Sequence, residues 1–348
     1  MTTTVVTGWD LGGAHLKVAQ ADSAGRLLIA AQVPCRLWEG TGRLSEAIEG
    51  LRPRLRPSRR HAVTMTGELV DLFADRAAGV AALVDAAAEA FPRTSRRFFA
   101  GRAGFLDQRQ AKARPLEVAS ANWLACVQLA ASRLPEGLFL DVGSTTTDIV
   151  PFAGGRDLAE GISDAERLAS GELVYDGVTR TPVMALARSL PFEGLRQGVM
   201  AEHFATVADV YRVLGVLPAG ADQHPTADGR DRSVESSARR LARMLGRDFA
   251  PDELPAYRRL AAQLAGCQSR HIVAAAKRVT ARAALPASAP VIGAGVGRFL
   301  AQRVAERLGR PYSDFGSLIA AEPAVREEAA RAAPAAAVAL LAVSAAGS

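Results

Sequence analysis

A two-lobed α/β protein is the fold class this sequence predicts, on three observations. Its 348 residues suffice for two domains of roughly 100 to 200 residues each. The segments "GWDLGGAHLKVA" (8–19) and "FLDVGSTTTDIV" (139–150) run one course: apolar strand, Asp, one apolar residue, Gly, small turn, strand. Two lobes built on one plan would produce that duplication. The segment "VIGAGVGRFL" (291–300) reads as strand, glycine turn and helix.

In chain order, 4–10, 15–21 and 27–33 read as three strands, separated by "LGGA" and by a turn at Ser23 to Gly25. A helix is expected over 43–51 and a strand over 61–65. A long Ala-rich helix is expected over 69–90, where Leu69, Leu72, Phe73, Val80 and Leu83 recur at roughly helical spacing. "RRFFA" (96–100) reads as a strand and 116–134 as one long buried helix. A second series starts with strands 138–142 and 147–152 and continues as short strands through "GELVYDGVTRTPV" (171–183). Residues 200–280 are helical in pattern, interrupted by the polar, breaker-rich loop 218–233. Strand 290–293 then leads into a helix with Phe299, Leu300, Val304 and Leu308 on one face. No repeat of fixed period is visible, which excludes a solenoid. The lobes are expected to be 1–135, with a C-terminal helix 325–348 packing back on it, and 136–324.

Composition narrows the function classes. Half the residues are hydrophobic, so large-scale disorder is not expected. The formal charge is +6, but the arginines are scattered among acids and the basic clusters lack interleaved aromatics, which argues against nucleic acid. Only three residues are lysine: Lys17, Lys112 and Lys277. Cys35, Cys126 and Cys267 lie far apart, with no CxxC and no Cys/His cluster, so neither disulfides nor a zinc site are expected and a reducing cytoplasm fits. The N-terminus lacks the basic and apolar regions of a signal peptide. The tail 332–347 is apolar but interrupted by Pro334 and too short to span a membrane, which predicts a packed helix. Homo-oligomerisation is left open.

Two turns carry the candidate chemistry. After Asp10, Gly12 and Gly13 let backbone amides approach phosphate oxygens, while Asp10 can hold Mg²⁺ directly or through its waters and Lys17 can neutralise an anion. After Asp141 and Gly143, the hydroxyls of Ser144, Thr145, Thr146 and Thr147 add further donors. Asp141 and Asp148 can accept from a metal's water shell or act as a base. Gly293, Gly295 and Gly297 would bring a helix N-terminus close to a nucleotide or another phosphorylated ligand. Thr66, Glu68 and Asp71 in "TMTGELVD" are candidates for a substrate amine; a helix cap with an acidic first turn is their structural alternative. Arg230 and Arg232 can meet a substrate carboxylate.

In order and spacing, Asp10-Leu-Gly12-Gly13, Asp141-Val-Gly143-Ser-Thr-Thr-Thr-Asp148 and Gly293-Ala-Gly295-Val-Gly297 resemble the phosphate-1, phosphate-2 and adenosine segments of the actin, sugar-kinase and Hsp70 superfamily. More narrowly, "VTMTGEL" (63–69), "ANWLA" (121–125), "GELVYDGVTRTPV" and "HPTADGRDRS" (224–233) are similar to segments of its hydantoinase/oxoprolinase-related group, linked to tetrahydromethanopterin-dependent one-carbon metabolism. The resemblance implies an actin-like ATPase (ribonuclease H-like) fold with the ligand held in a cleft between the lobes. It also implies a cytoplasmic transferase of methanofuran or methylofuran biosynthesis. Such an enzyme joins an aminomethyl-furanmethyl diphosphate to the phenol of a glutamylated tyramine or a tyrosine-derived compound and releases diphosphate. Mg²⁺ is the implied cofactor, with ATP as a less favoured ligand. An ATP-dependent kinase or oxoprolinase-like enzyme and a non-catalytic nucleotide sensor are the alternatives.

Overall fold

The computed structural model describes residues 5–347. The first sheet holds β1 (Val5–Leu11), β2 (His15–Asp22), β3 (Leu27–Pro34), β4 (Arg60–Met65), β5 (Ser95–Phe99) and β6 (Phe105–Leu106). Their order is β3-β2-β1-β4-β5-β6. The pairs β1/β2 and β2/β3 are antiparallel, and β1/β4 and β4/β5 are parallel. Helices α1 (Gly42–Leu51), α2 (Arg76–Ala90), α3 (Gln108–Ala113), α4 (Pro115–Val118) and α5 (Asn122–Ala131) belong to this half.

The second series comprises β7 (Glu136–Val142), β8 (Thr147–Ala153), β9 (Arg156–Asp157), β10 (Leu173–Val174), the hairpin β11 (Ser189–Phe192) and β12 (Leu195–Gly198), β13 (Val291–Ala294) and β14 (Tyr312–Asp314). Its sheet runs β10-β8-β7-β13-β14, with β9 on β8. With β9 and the β11/β12 hairpin left out of the count, both sheets place the third, second, first, fourth and fifth strand of their series side by side. The helices here are α6 (Asp164–Ser170), α7 (Val207–Val213), α8 (Val234–Met244), α9 (Leu254–Arg282) and α10 (Arg298–Leu308). The chain ends with α11 (Pro323–Arg331) and α12 (Ala333–Gly347).

Contacts divide the chain into one unit of residues up to Phe139, Pro151–Ala159 and Ser313 onward, and a second of Leu140–Val150 and Glu160–Tyr312. This division differs from the expected one, since 136–139, 151–159 and 313–324 belong with the N-terminal segment. Three helical expectations also change. The helix expected from 69 begins at Arg76, where the Asp75 carboxylate accepts from the Ala78 amide, and 67–69 form a separate 3-10 turn. The expected helix 116–134 breaks at Ser120, which takes a φ of 50°. The C-terminal helix expected over 325–348 is two helices, α11 and α12, bent by 109°; the apolar tail forms α12, with Pro334 in its first turn, where a missing amide costs nothing. No single helix among the described residues is long and apolar enough to cross a membrane.

In the first unit, α12 is buried against β1, β2 and β4, as its run of Ala and Val permits. Gly8 makes that approach geometrically possible: a Cβ there would lie 2.2 Å from the Ala335 carbonyl oxygen. On the opposite face Trp9, Leu16, Val18, Val63, Val80, Leu83 and Phe98 form the core, each fully buried large side chain contributing about 1.5–3 kcal/mol.

His61 lies in this core, stacked on Phe91 at 4.2 Å and accepting from the Trp9 indole N–H at 3.1 Å through Nδ1. Burial holds its pKa down at about 4, against an ordinary 6.5. Below pH 6.5 the unfolded chain binds the proton and the native state does not, so stability falls as pH drops from 6.5 towards 4. The loss is about 3 kcal/mol at the low end. Urea unfolding at stepped pH should show this slope in the wild type and lose most of it in His61→Phe; an unchanged slope in the variant would refute the assignment.

Candidate anion-binding site

In the first unit Asp10 sits one residue before the end of β1, with Lys17 opposite it on β2 and Thr64 beside it on β4. Cross-strand partners share a face, so the three side chains form a row. Lys17 Nζ contacts Asp10 Oδ2 at 3.0 Å, and Asp10 is 1% exposed. Asp10 Oδ1 and Thr64 Oγ1 are buried without a hydrogen-bond partner among the described residues. Lys17 thus gives one of its three N–H donors to Asp10.

The glycines after Asp10 act differently from the expectation. The Gly12 amide donates to the Asp10 and His15 carbonyls, both at 3.1 Å, so it closes the hairpin and is lost as an anion donor. A Cβ at Gly13 would meet Val70 Cγ1 at 2.7 Å, so this glycine admits the 67–70 turn. Thr66 donates its amide to the Leu11 carbonyl, which seats "TMTGELVD" on the Asp10 turn. Glu68 is buried and accepts from Ser120 Oγ at 2.6 Å, so Ser120's unusual backbone serves to reach it. Asp71 is exposed.

In the second unit, three segments meet around Asp141, which is 8% exposed. Gly143 closes the loop by donating to the Thr146 carbonyl at 2.9 Å. Among the described residues, the amides and hydroxyls of Ser144, Thr145 and Thr146 donate to no protein acceptor, and all three residues are half-buried. Thr147 is different: its hydroxyl donates to the Asp176 carbonyl at 2.6 Å.

The segment Asp176–Thr181 forms the loop's floor. Thr179 and Arg180 amides donate to the Ser144 carbonyl at 3.1 and 2.9 Å, and Val178 to Gly143 at 3.0 Å. Gly177 allows this contact, since a Cβ would lie 2.4 Å from the Ser144 carbonyl and the Thr145 amide. On the other flank, Gly295 has a φ of 82°, and a Cβ there would come within 2.3 Å of Asp141 Oδ1. The Gly297 amide, at the start of α10, donates to the Val142 carbonyl at 2.8 Å. Gly293 makes room for the Tyr312 ring. The glycine turn thus packs against the Asp141 loop, and the Gly297 donor is spent on protein.

Asp148 is likewise committed. Its Oδ1 accepts from Arg167 at 2.8 Å, and Arg167 is 2% exposed, so the carboxylate serves as counter-ion to a buried guanidinium. Arg232 hydrogen-bonds the His224 carbonyl at 2.7 Å within its own loop, while Arg230 is exposed. Sequence reasoning did not single out Asp176, Gln268 or His271. Asp176 falls within the quoted segment "GELVYDGVTRTPV", but the two α9 residues give no local signal. Gln268 donates to the Gly177 carbonyl at 2.6 Å, and His271 Nδ1 lies 3.2 Å from Asp176 Oδ2. Burial pushes the Asp176 carboxyl up from its usual range, and the neighbouring His271 opposes that shift.

The implied Mg²⁺ meets a fitting donor set. No cluster of three or more His, Cys, Asp or Glu suited to a metal occurs among the described residues. Asp10 nevertheless offers a buried oxygen without a hydrogen-bond partner. Mg²⁺ is commonly held by only one or two carboxylates, with waters and ligand phosphates completing its octahedron.

The duplicated five-strand order and the loops at the ends of the first strands define an actin-like ATPase fold of the ribonuclease H-like kind. Nucleotide-free acetone carboxylase shares it, with a TM-score of 0.60 at 11% identity over 96% of this chain and 70% of that one. Residues 59–313 match the hydantoinase/oxoprolinase family model, and the chain belongs to that family. It is 31% identical over 245 residues to the (4-{4-[2-(γ-L-glutamylamino)ethyl]phenoxymethyl}furan-2-yl)methanamine synthase of Methanocaldococcus jannaschii, covering 70% of this chain and 72% of that protein. The Methanococcus vannielii protein of the same name is 34% identical over 112 residues, covering 32% of this chain and half of that one. Like these synthases, the chain is an enzyme of the transferase type.

Proposed function

We propose that this enzyme works in methanofuran-type cofactor biosynthesis, condensing an aminomethyl-furanmethyl diphosphate with a phenol and releasing diphosphate. The observation that carries this reading is the run of unspent donors at Ser144, Thr145 and Thr146 above Asp141. Three successive amides with three hydroxyls suit a phosphate-rich leaving group, and the relatives' name describes an aryl ether of furanmethanol. A furfuryl carbon ionises readily because the ring stabilises the adjacent cation. The main demand is then on the departing negative charge, and preorganised donors meet that demand. Bound at Asp10 or Asp141, Mg²⁺ would neutralise diphosphate charge that those carboxylates would otherwise repel. Ser144–Thr146 bind and orient the phosphate oxygens, and the Asp176–Thr181 floor keeps the loop from reorganising as charge develops.

Diphosphate and furfuryl diphosphate, each with Mg²⁺, should raise the thermal unfolding temperature, because a ligand that binds only the native state stabilises it by about 2.7 kcal/mol at a hundredfold excess over Kd. ATP should give a much smaller shift. Incubating the enzyme with the furan diphosphate and a panel of tyramine, γ-glutamyltyramine and tyrosine should yield the ether by mass spectrometry. Phosphate release from ATP, with no ether from any phenol, would overturn the reading.

A further inference from the structure

Ether formation needs the phenol to lose its proton, and an ordinary phenol with a pKa near 10 is scarcely ionised at neutral pH. Asp148 is occupied by Arg167 and is a poor candidate for that proton. On the floor of the Ser144 loop, however, stands a second pair. Asp176 is 6% exposed, and its backbone is fixed from two directions: its carbonyl accepts from Thr147 Oγ1, and the next residue's carbonyl accepts from Gln268 Nε2. Its carboxylate Oδ2 faces His271 Nδ1 at 3.2 Å. His271 follows Gln268 by three residues on α9, so one helix face supplies both the brace and the imidazole. The imidazole side chain is 46% exposed, which leaves it open to a ligand. Tyr175, the residue before Asp176, presents an exposed aromatic ring.

Resting on the aryl-ether reading above, we infer that His271 is the catalytic base for the phenolic acceptor and that Asp176 is its positioning residue. A carboxylate at Nδ1 selects the tautomer with the proton on that nitrogen, so Nε2 carries the lone pair. In the reaction Nε2 takes the phenol proton as the phenolic oxygen forms its bond to the furfuryl carbon. The bond from that carbon to diphosphate breaks, its electron pair leaving with diphosphate. The imidazolium then returns the proton to water. Burial of Asp176 in the floor keeps the pair rigid, and the bond to Thr147 links it directly to the loop that holds the leaving group.

The test uses the whole enzyme with the furan diphosphate and ring-fluorinated forms (mono-, di- and tetrafluoro) of whichever phenol the wild type accepts; each fluorine makes the phenol more acidic at nearly constant shape. His271→Gln should lower kcat by about 10²- to 10⁴-fold with the unfluorinated acceptor, the usual value of a positioned base, and leave the KM for the diphosphate within about twofold. That deficit should shrink steadily with fluorination and nearly vanish for the tetrafluoro phenol, which ionises unaided. Asp176→Asn should show a smaller deficit with the same trend. A deficit equal across the series would mean that His271 only shapes the loop, and a variant with near-wild-type rates would remove it from the reaction; either result overturns the assignment while the ether-forming activity stands. If the wild type makes no ether from any phenol, the functional reading itself falls and takes this assignment with it.

Discussion

Asp141→Ala is expected to reduce ether formation by at least about 10²- to 10³-fold while the protein stays folded, the usual cost of removing one electrostatic contributor from a preorganised site. Asp141 abuts the side of Gly295 where a Cβ would clash. The contrast with Asp148 makes the expectation sharp. Asp148→Ala strips the counter-ion from Arg167, which is 2% exposed, and should cost about 3–5 kcal/mol of stability whatever it does to the rate. Activity assays paired with urea unfolding separate the two. An Asp141→Ala enzyme with near-normal turnover would take this carboxylate out of the mechanism, and an Asp148→Ala enzyme of unchanged stability would contradict the ion pair.

Arg240→Met should be the most destabilising single change away from the loops. Arg240 is fully buried on α8 and reaches Asp209 Oδ1 at 2.8 Å, Asp228 Oδ1 at 2.9 Å and Ser237 Oγ at 3.1 Å. Asp209 also caps the start of α7 and pairs with Arg212 at 3.2 Å. Asp228, in the "HPTADGRDRS" loop, is held below the usual carboxylate range by hydrogen bonds from the Arg230 amide and by Arg240, against the opposing pull of burial. Removing the guanidinium takes the buried cation from between two carboxylates and leaves Asp209 only its partly exposed pair with Arg212, at a cost of about 3–5 kcal/mol. The adjacent Arg239→Met should change stability by less than about 0.5 kcal/mol. Similar unfolding midpoints for both variants would show that the network contributes no more than ordinary surface charge. The loop 224–233 should also become protease-sensitive in Arg240→Met, because Asp228 and the Asp231 carbonyl are its attachments to α8.

Much of the architecture was legible in the residues. Apolar runs bounded by the turns at 12–14, 23–25 and 143–146 located β1, β2, β3, β7 and β8 within one or two residues, since a hairpin signal is local in the chain. Asp10 and Asp141 stood out for the same reason, each following an apolar run and preceding glycine. Helix limits were less legible. The apolar spacing of 69–90 is helical throughout, but Glu68 must lie where a Gly79 Cβ would strike it, which confines the helix to 76–90. Likewise the run 116–134 contains no Pro or Gly, yet Ser120 turns left-handed to reach Glu68.

The sequence by itself determined the two-fold plan of strands, the placement of a small polar turn after each first strand, and the family to which the chain belongs. Patterns of apolar spacing and short motifs reside within a dozen consecutive residues, so no folding is needed to see them. Which donors stay unspent was decided only by tertiary contact. Gly12, Gly297, Thr147 and Asp148 stood beside Ser144–Thr146 as candidates but are consumed by protein neighbours, the Gly12 amide within its own hairpin and the other three by residues elsewhere in the chain. Conversely, Asp176 and His271 stand 95 positions apart and become a pair only because α9 lies against the loop's floor. Hydrogen-bond capacity is a property of a side chain, whereas its availability is a property of everything packed around it.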